Sequence, residues 1–167
     1  MASVQIRTAA AGREPDEFLP LWEAVTGHHA GMRSADPESS LPTWETERLR
    51  LATALAAGGG GEHDFVVAAE ASGELVGYAR VEIGPGGPTF WPPVDRVGRL
   101  ETLSVIGSRR RQGIGGQLVA GVVGELGLRR VRLVVVGFWR ENVDAGRFYE
   151  RCGFRVDGRG RHRRACP

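Results

Sequence analysis

Apolar and polar positions alternate along the chain in blocks that predict strands and helices in turn. Val4 and Ile6 alternate with polar neighbours, the period of a short first strand. Pro15 and Asp16 open a helical stretch whose Phe18, Trp22 and Val25 share one face, with Gly27 placed to end or bend it. Pro42 starts a second helix, its apolar stripe formed by Trp44, Leu51 and Leu55 and its end marked by the glycine run 58–61. Phe65 to Ala69 and Leu75 to Ile83 read as two strands joined at Ser72-Gly73, an antiparallel hairpin. The run from Gly84 to Pro93 is too rich in glycine and proline for regular structure and predicts a restrained loop presenting Phe90 and Trp91. Leu100 to Ile106 is a mostly apolar strand, followed by a turn and a helix beginning at Gly113. The continuous apolar run Val131 to Val136 predicts a strand buried on both faces, Asn142 to Tyr149 a helix, and Phe154 to Val156 the start of a last strand. The arginine-rich tail beyond it reads as an edge strand with protective charges or as a frayed end.

The turn between 106 and 114 changes the picture from architecture to chemistry. Arg109, Arg110 and Arg111 stand beside Gly113, Gly115 and Gly116. Glycines remove the Cβ atoms that keep an anion from the backbone, so successive N–H groups can converge on phosphate oxygens. The helix that starts there adds unpaired first-turn N–H groups and the positive end of its dipole, and the arginines add forked donors. A polyanionic ligand follows. A nucleotide-triphosphate loop is excluded because it needs a lysine and the chain has none; a dinucleotide fingerprint fails because Leu118 stands where its third glycine belongs.

Val105, Arg110, Gly113 and Gly115 match the V-x-x-x-x-R/Q-x-x-G-x-G/A motif of the GNAT N-acetyltransferases. The stretch Asn142 to Phe154 is similar to that family's N-x-x-A-x-x-x-Y-x-x-x-G-F. Gly107 and Arg109 depart from the proline and the aromatic or histidine that members often carry in the turn. The resemblance implies an α/β (α+β) GNAT fold: a mixed, mostly antiparallel central sheet with helices on both faces, in which the parallel strands at 100–106 and 131–136 splay apart. It implies one GNAT domain over residues 1–167.

The resemblance also implies acetyl-CoA as acetyl-donor co-substrate, no metal, and transfer to a primary amine of a small molecule or peptide in a ternary complex. A non-catalytic acyl-CoA sensor is the alternative. Cofactor contacts carried over from the motifs are Leu103, Ser104, Val105, Arg110, Arg111, Gln112, Gly113, Ile114, Gly115, Gly116, Asn142 and Tyr149. On the strand the backbone is expected to serve, so side-chain swaps at Ser104 should matter little. Glu101, just before these strand residues, is the candidate general base, and Tyr149 the candidate general acid at the CoA sulfur. Trp22, His28, His29, Phe90, Trp91 and Glu101 are the candidates for the acceptor wall. His28 and His29 have no clustered partners for a metal site.

Composition refines rather than redirects this reading. A chain of 167 residues can bury a sizeable core as one domain, and neither an eighteen-residue apolar run nor a signal-peptide pattern occurs, so a cytoplasmic protein without membrane contact is expected. Two cysteines fit a reducing compartment. Net charge is +2 but uneven: residues 1–94 carry −7 and residues 95–167 carry +9. The basic half suits a phosphorylated cofactor and the acidic half a cationic amine. The basic tail lacks interleaved aromatics, which disfavours nucleic acid as a partner. Many members of the family are dimers, so a homodimer is an open expectation.

Overall fold

The computed structural model describes residues 3–9, 13–31, 42–57, 64–87, 93–157 and 161–167. Seven strands, Val4–Thr8 (β1), Phe65–Ala71 (β2), Glu74–Gly87 (β3), Val94–Val105 (β4), Leu133–Val136 (β5), Arg155–Val156 (β6) and His162–Ala165 (β7), form one sheet in the order β1-β2-β3-β4-β5-β7-β6. Every neighbouring pair is antiparallel except β4 with β5. Among the described residues the α-helices are Leu19–Ala30 (α1), Trp44–Ala56 (α2), Ile114–Leu128 (α3) and Val143–Arg151 (α4).

Alternation along the inner strands divides two cores. Phe65, Val67 and Ala69 of β2 and Ala79 and Val81 of β3 pack with Leu118, Val122 and Leu126 of α3 and with Tyr149 of α4. Val66, Ala68 and Tyr78 point the other way, onto Phe18, Leu21, Leu51 and Leu55 beside α1 and α2. Helices therefore cover both faces, and β2 is buried at every position. No helix among the described residues is long and apolar enough to cross a membrane.

Three boundaries differ from the sequence expectation. Helix α1 continues through Gly27 to Ala30, and the face it buries is Phe18 and Leu21, with Trp22 and Val25 only partly covered. Residues 84–87 are strand, not loop: β3 runs on to Gly87 against β4, which begins at Val94. The proline is tolerated because β2 stops pairing at Val81, so Pro85 has a neighbour on one side only and its missing N–H breaks no ladder. Phe90 and Trp91 lie outside the described residues. Finally, the tail forms two strands, of which only the short β6 is an edge. Strand β7 is interior, between β5 and the two-residue β6, because β5 needs an antiparallel partner on the side away from β4 and a very short β6 then leaves little edge exposed.

Candidate active site

The parallel pairing of β4 with β5 covers three positions, Gly98 with Val134, Arg99 with Val135 and Leu100 with Val136. Strand β4 continues to Val105, while the chain leaves β5 at Val136. Beyond Leu100 the side of β4 that faced β5 therefore has no strand partner, and a gap opens. At the same point the antiparallel register with β3 slips: Val81 opposes Leu100 and Arg80 opposes Thr102, so Glu101 is the inserted residue of a β-bulge. The bulge sits where the two parallel strands part.

Glu101 is exposed and makes no hydrogen bond or ion pair to a described residue. Its carboxyl is nonetheless held above the ordinary glutamate range. Packed protein around it is the main cause, and Glu82 adds to it; Arg80 foremost, then Arg50 and Arg99, pull the other way.

At the end of β4 the chain passes through a 3-10 turn, Gly107–Arg109, into α3. Arg111 has φ of 64° and Gly113, the N-cap of α3, has φ of 81° in the left-handed region. Thr43 and Asn142 cap α2 and α4 through their side chains, but no side chain caps α3. The first helical bond of α3 runs from the Gln117 N–H to the Gly113 carbonyl. The N–H groups from Arg111 to Gly116 find no acceptor among the described residues. Six successive open donors at the N-terminus of a fifteen-residue helix fit a phosphate-bearing group.

The glycines divide by role. A Cβ on Gly113 or Gly116 would meet nothing within 4 Å, so Gly113 answers to its backbone angle and Gly116 leaves the approach open. A Cβ on Gly115 would lie 3.3 Å from the Phe148 ring, so that glycine serves the contact between α3 and α4. The Arg110 guanidinium turns inward, donating to the Val105 carbonyl at 3.0 Å and the Ala24 carbonyl at 3.1 Å. It ties the turn to α1. The Gln112 amide donates to the Ser108 carbonyl. Ser104 is buried with its hydroxyl on the Leu21 carbonyl at 2.6 Å, so its side chain braces α1 against β4 and the expectation of an inert position gives way.

Tyr149 is buried, its ring centroid 5.6 Å from Phe138, 5.0 Å from Phe148 and 5.3 Å from Phe154. Phe138 follows β5 by two residues, which sets the tyrosine against the far wall of the gap. Burial pushes its phenol upward, and the hydroxyl finds no partner among the described residues. Asn142 Oδ1 accepts from the Ala145 N–H at 3.0 Å, fixing the start of α4.

The acceptor candidates fall into two groups. Trp22 packs on Trp44 at 5.7 Å, beside a cavity of about 350 Å³ lined by Trp22, Glu23, Thr26, Gly27, Ala30 and Pro42. His29 stacks on Trp139 at 6.3 Å, joining the end of α1 to the loop after β5; His28 is exposed. Burial foremost, then His28, lowers the His29 pKa. No cluster of metal-ligating side chains occurs among the described residues.

Sequence reasoning missed Trp139 and a buried polar group beneath the bulge. Glu47 and Arg80, each 1% exposed, pair with Nε to Oε1 at 3.1 Å. The same Oε1 accepts from the Tyr78 hydroxyl at 3.3 Å and the Thr102 hydroxyl at 3.1 Å. A signal existed: Glu47 is an acid on the stripe that carries Trp44 and Leu51.

The profile of the acetyltransferase (GNAT) family matches residues 29–154. The fold is shared with an acetyltransferase of the GNAT family from Streptococcus pneumoniae, at 16% identity and a TM-score of 0.69 over 99% of this chain and 100% of that one. It is also shared with the PaiA N-acetyltransferase of Thermoplasma acidophilum in complex with coenzyme A, at 18% identity and 0.67 over 96% of each chain. An aminoglycoside N-acetyltransferase in complex with CoA gives 19% and 0.67 over 93% of this chain and 90% of that one. No curated protein is similar enough in sequence to count as a relative.

Proposed function

The chain belongs to the GNAT acetyltransferase family, and from that premise we propose that it moves the acetyl group of acetyl-CoA to a primary amine of a small molecule or peptide, in a ternary complex in the cytoplasm. The observation that carries this reading is the coincidence of three features at one gap: β4–β5 pairing that stops at Leu100, the bulge residue Glu101 at the split, and the uncapped α3 at its mouth.

The Arg111 to Gly116 N–H groups would hold the cofactor's phosphates, and those backbone groups of Leu103 to Val105 that face away from β3 the pantetheine arm. A β4 N–H aimed at the thioester carbonyl would stabilise the negative charge that develops there. Because an ammonium ion cannot attack, Glu101 takes its proton, directly or through one water. The amine nitrogen then bonds to the carbonyl carbon and gives up its second proton to solvent as the carbon–sulfur bond breaks. Tyr149 donates its proton to the departing sulfur and recovers one from solvent. Its upward-shifted phenol is protonated throughout the working range, as a donor must be. Asn142 Nδ2, with Oδ1 spent on the helix cap, remains a donor for the cofactor arm.

An amine acceptor is supported by Glu23, which lines the cavity beside the aromatic surface of Trp22. The test is release of CoA thiol from acetyl-CoA across a panel of polyamines, aminoglycosides, amino acids and peptide N-termini. Amine-dependent release with at least one class is the expected result. Tight acetyl-CoA binding with silence across the panel would instead identify a sensor.

A further inference from the structure

The Glu47–Arg80 pair has a feature that its packing alone leaves unexplained. Glu47 Oε1 accepts three hydrogen bonds, from Arg80 Nε, the Tyr78 hydroxyl and the Thr102 hydroxyl, so the carboxylate is pinned from β3 and β4. Arg80 keeps a buried Nη1 with no hydrogen-bond partner among the described residues. A buried charged donor left without an acceptor is costly, and a hydrophobic pair of similar size would often serve stability as well. The register places this guanidinium beside the bulge, because Arg80 opposes Thr102 and the inserted residue between Thr102 and Leu100 is Glu101.

We propose that Arg80, clamped by Glu47, is a positioning residue for acetyl transfer: its guanidinium, buried beside the bulge, is the counter-charge that favours the ionised Glu101 carboxylate. The assignment rests on Glu101 being the general base. The groups acting on Glu101 are Arg80 and Glu82 from β3, Arg50 from α2 and Arg99 from β4, and Arg80 is the strongest of those favouring the charged form. Glu47 then has a second task. By holding one face of Arg80 it fixes the guanidinium under the bulge and partly neutralises it, which sets how strongly Glu101 is held ionised.

The consequence has opposite signs for the two partners. Removing the positive charge in Arg80→Gln disfavours the Glu101 carboxylate, so the acidic limb of kcat/KM should move up by about one pH unit or more. Removing the neutralising charge in Glu47→Gln leaves Arg80 acting on Glu101 more strongly, and the limb should move down. Arg80→Lys keeps a charge and should restore the limb toward the wild-type position. The double variant Glu47→Gln/Arg80→Gln removes both charges together, which guards against a fold lost to one unpaired buried ion, and its limb should lie above that of the wild type.

All profiles are measured with one acceptor amine, so that the amine's own titration is common to every variant, and Glu101→Gln is run beside them. A limb absent in Glu101→Gln and shifted in opposite directions in the two single variants, or raised in the double variant where these do not fold, supports the assignment. A limb absent in Glu101→Gln but unmoved by every change at Glu47 and Arg80 overturns it and leaves Glu101 as base. A limb retained in Glu101→Gln overturns the underlying reading, and this inference with it.

Discussion

Glu101 and Tyr149 are pushed in the same direction by the same cause, yet the consequences for catalysis differ. For Glu101 a raised pKa means that the base is lost as pH falls through a value above the usual glutamate range. Glu101→Gln should therefore abolish the acidic limb of kcat/KM with acetyl-CoA affinity intact. Linkage gives a second expectation: a carboxyl whose folded pKa is raised destabilises the fold once both states are ionised, so Glu101→Gln should melt higher than wild type at neutral pH and show no gain below the ordinary glutamate range. A thermal scan at two pH values decides it. Tyr149→Phe should lower kcat by a factor on the order of 10². Because the phenol is shifted upward, no basic limb below pH 10 should belong to it. Tyr149 could be proposed from the sequence because it stands in a short motif, and Glu101 because it closely precedes another. The Glu47–Arg80 pair and Trp139 could not, since each matters only through partners more than thirty residues away or through a loop that folds back on α1.

The elements around the gap are joined by few bonds, and each predicts a distinct failure. Ser104→Ala removes a buried hydroxyl bond and should cost about 1 kcal/mol in denaturant unfolding while loosening the α1 wall. At the α3 entry the three glycines separate by calorimetric titration with acetyl-CoA. Gly113→Val forces a branched residue into the left-handed region and should weaken binding severely. Gly115→Val should act by pushing Phe148 and so disturb α4 first, whereas Gly116→Ala enters open space and should be mild unless the ligand lies there. The alternation of apolar residues was enough to place the strands and helices that carry the site. It stopped short at residues 84–87 and in the tail, because glycine, proline and arginine hide strand pairing that is set by neighbours and not by propensity.

Across the whole molecule the charge is divided as the chemistry requires. The basic half, residues 95–167, contains the turn at 107–116 and the strands beyond it, and the acidic half contributes α1, α2 and their face of the sheet. Cofactor attraction should then be sensitive to screening: KM for acetyl-CoA should rise as ionic strength increases through the physiological range. The two-sided sheet matters here because it fixes β4 between α1 on one face and α3 on the other, so that the proposed base Glu101 lies on a strand whose end leads directly to the α3 entry. On the proposed function, this strand and the α3 entry receive the cofactor. The most direct measurement is a titration of the isotope-labelled chain with acetyl-CoA, followed by the amide resonances. The largest shifts should fall on the N–H groups of Arg111 to Gly116 and on those of Leu103 to Val105. Saturable binding that leaves these amides unmoved, with the shifts gathered elsewhere, would contradict it.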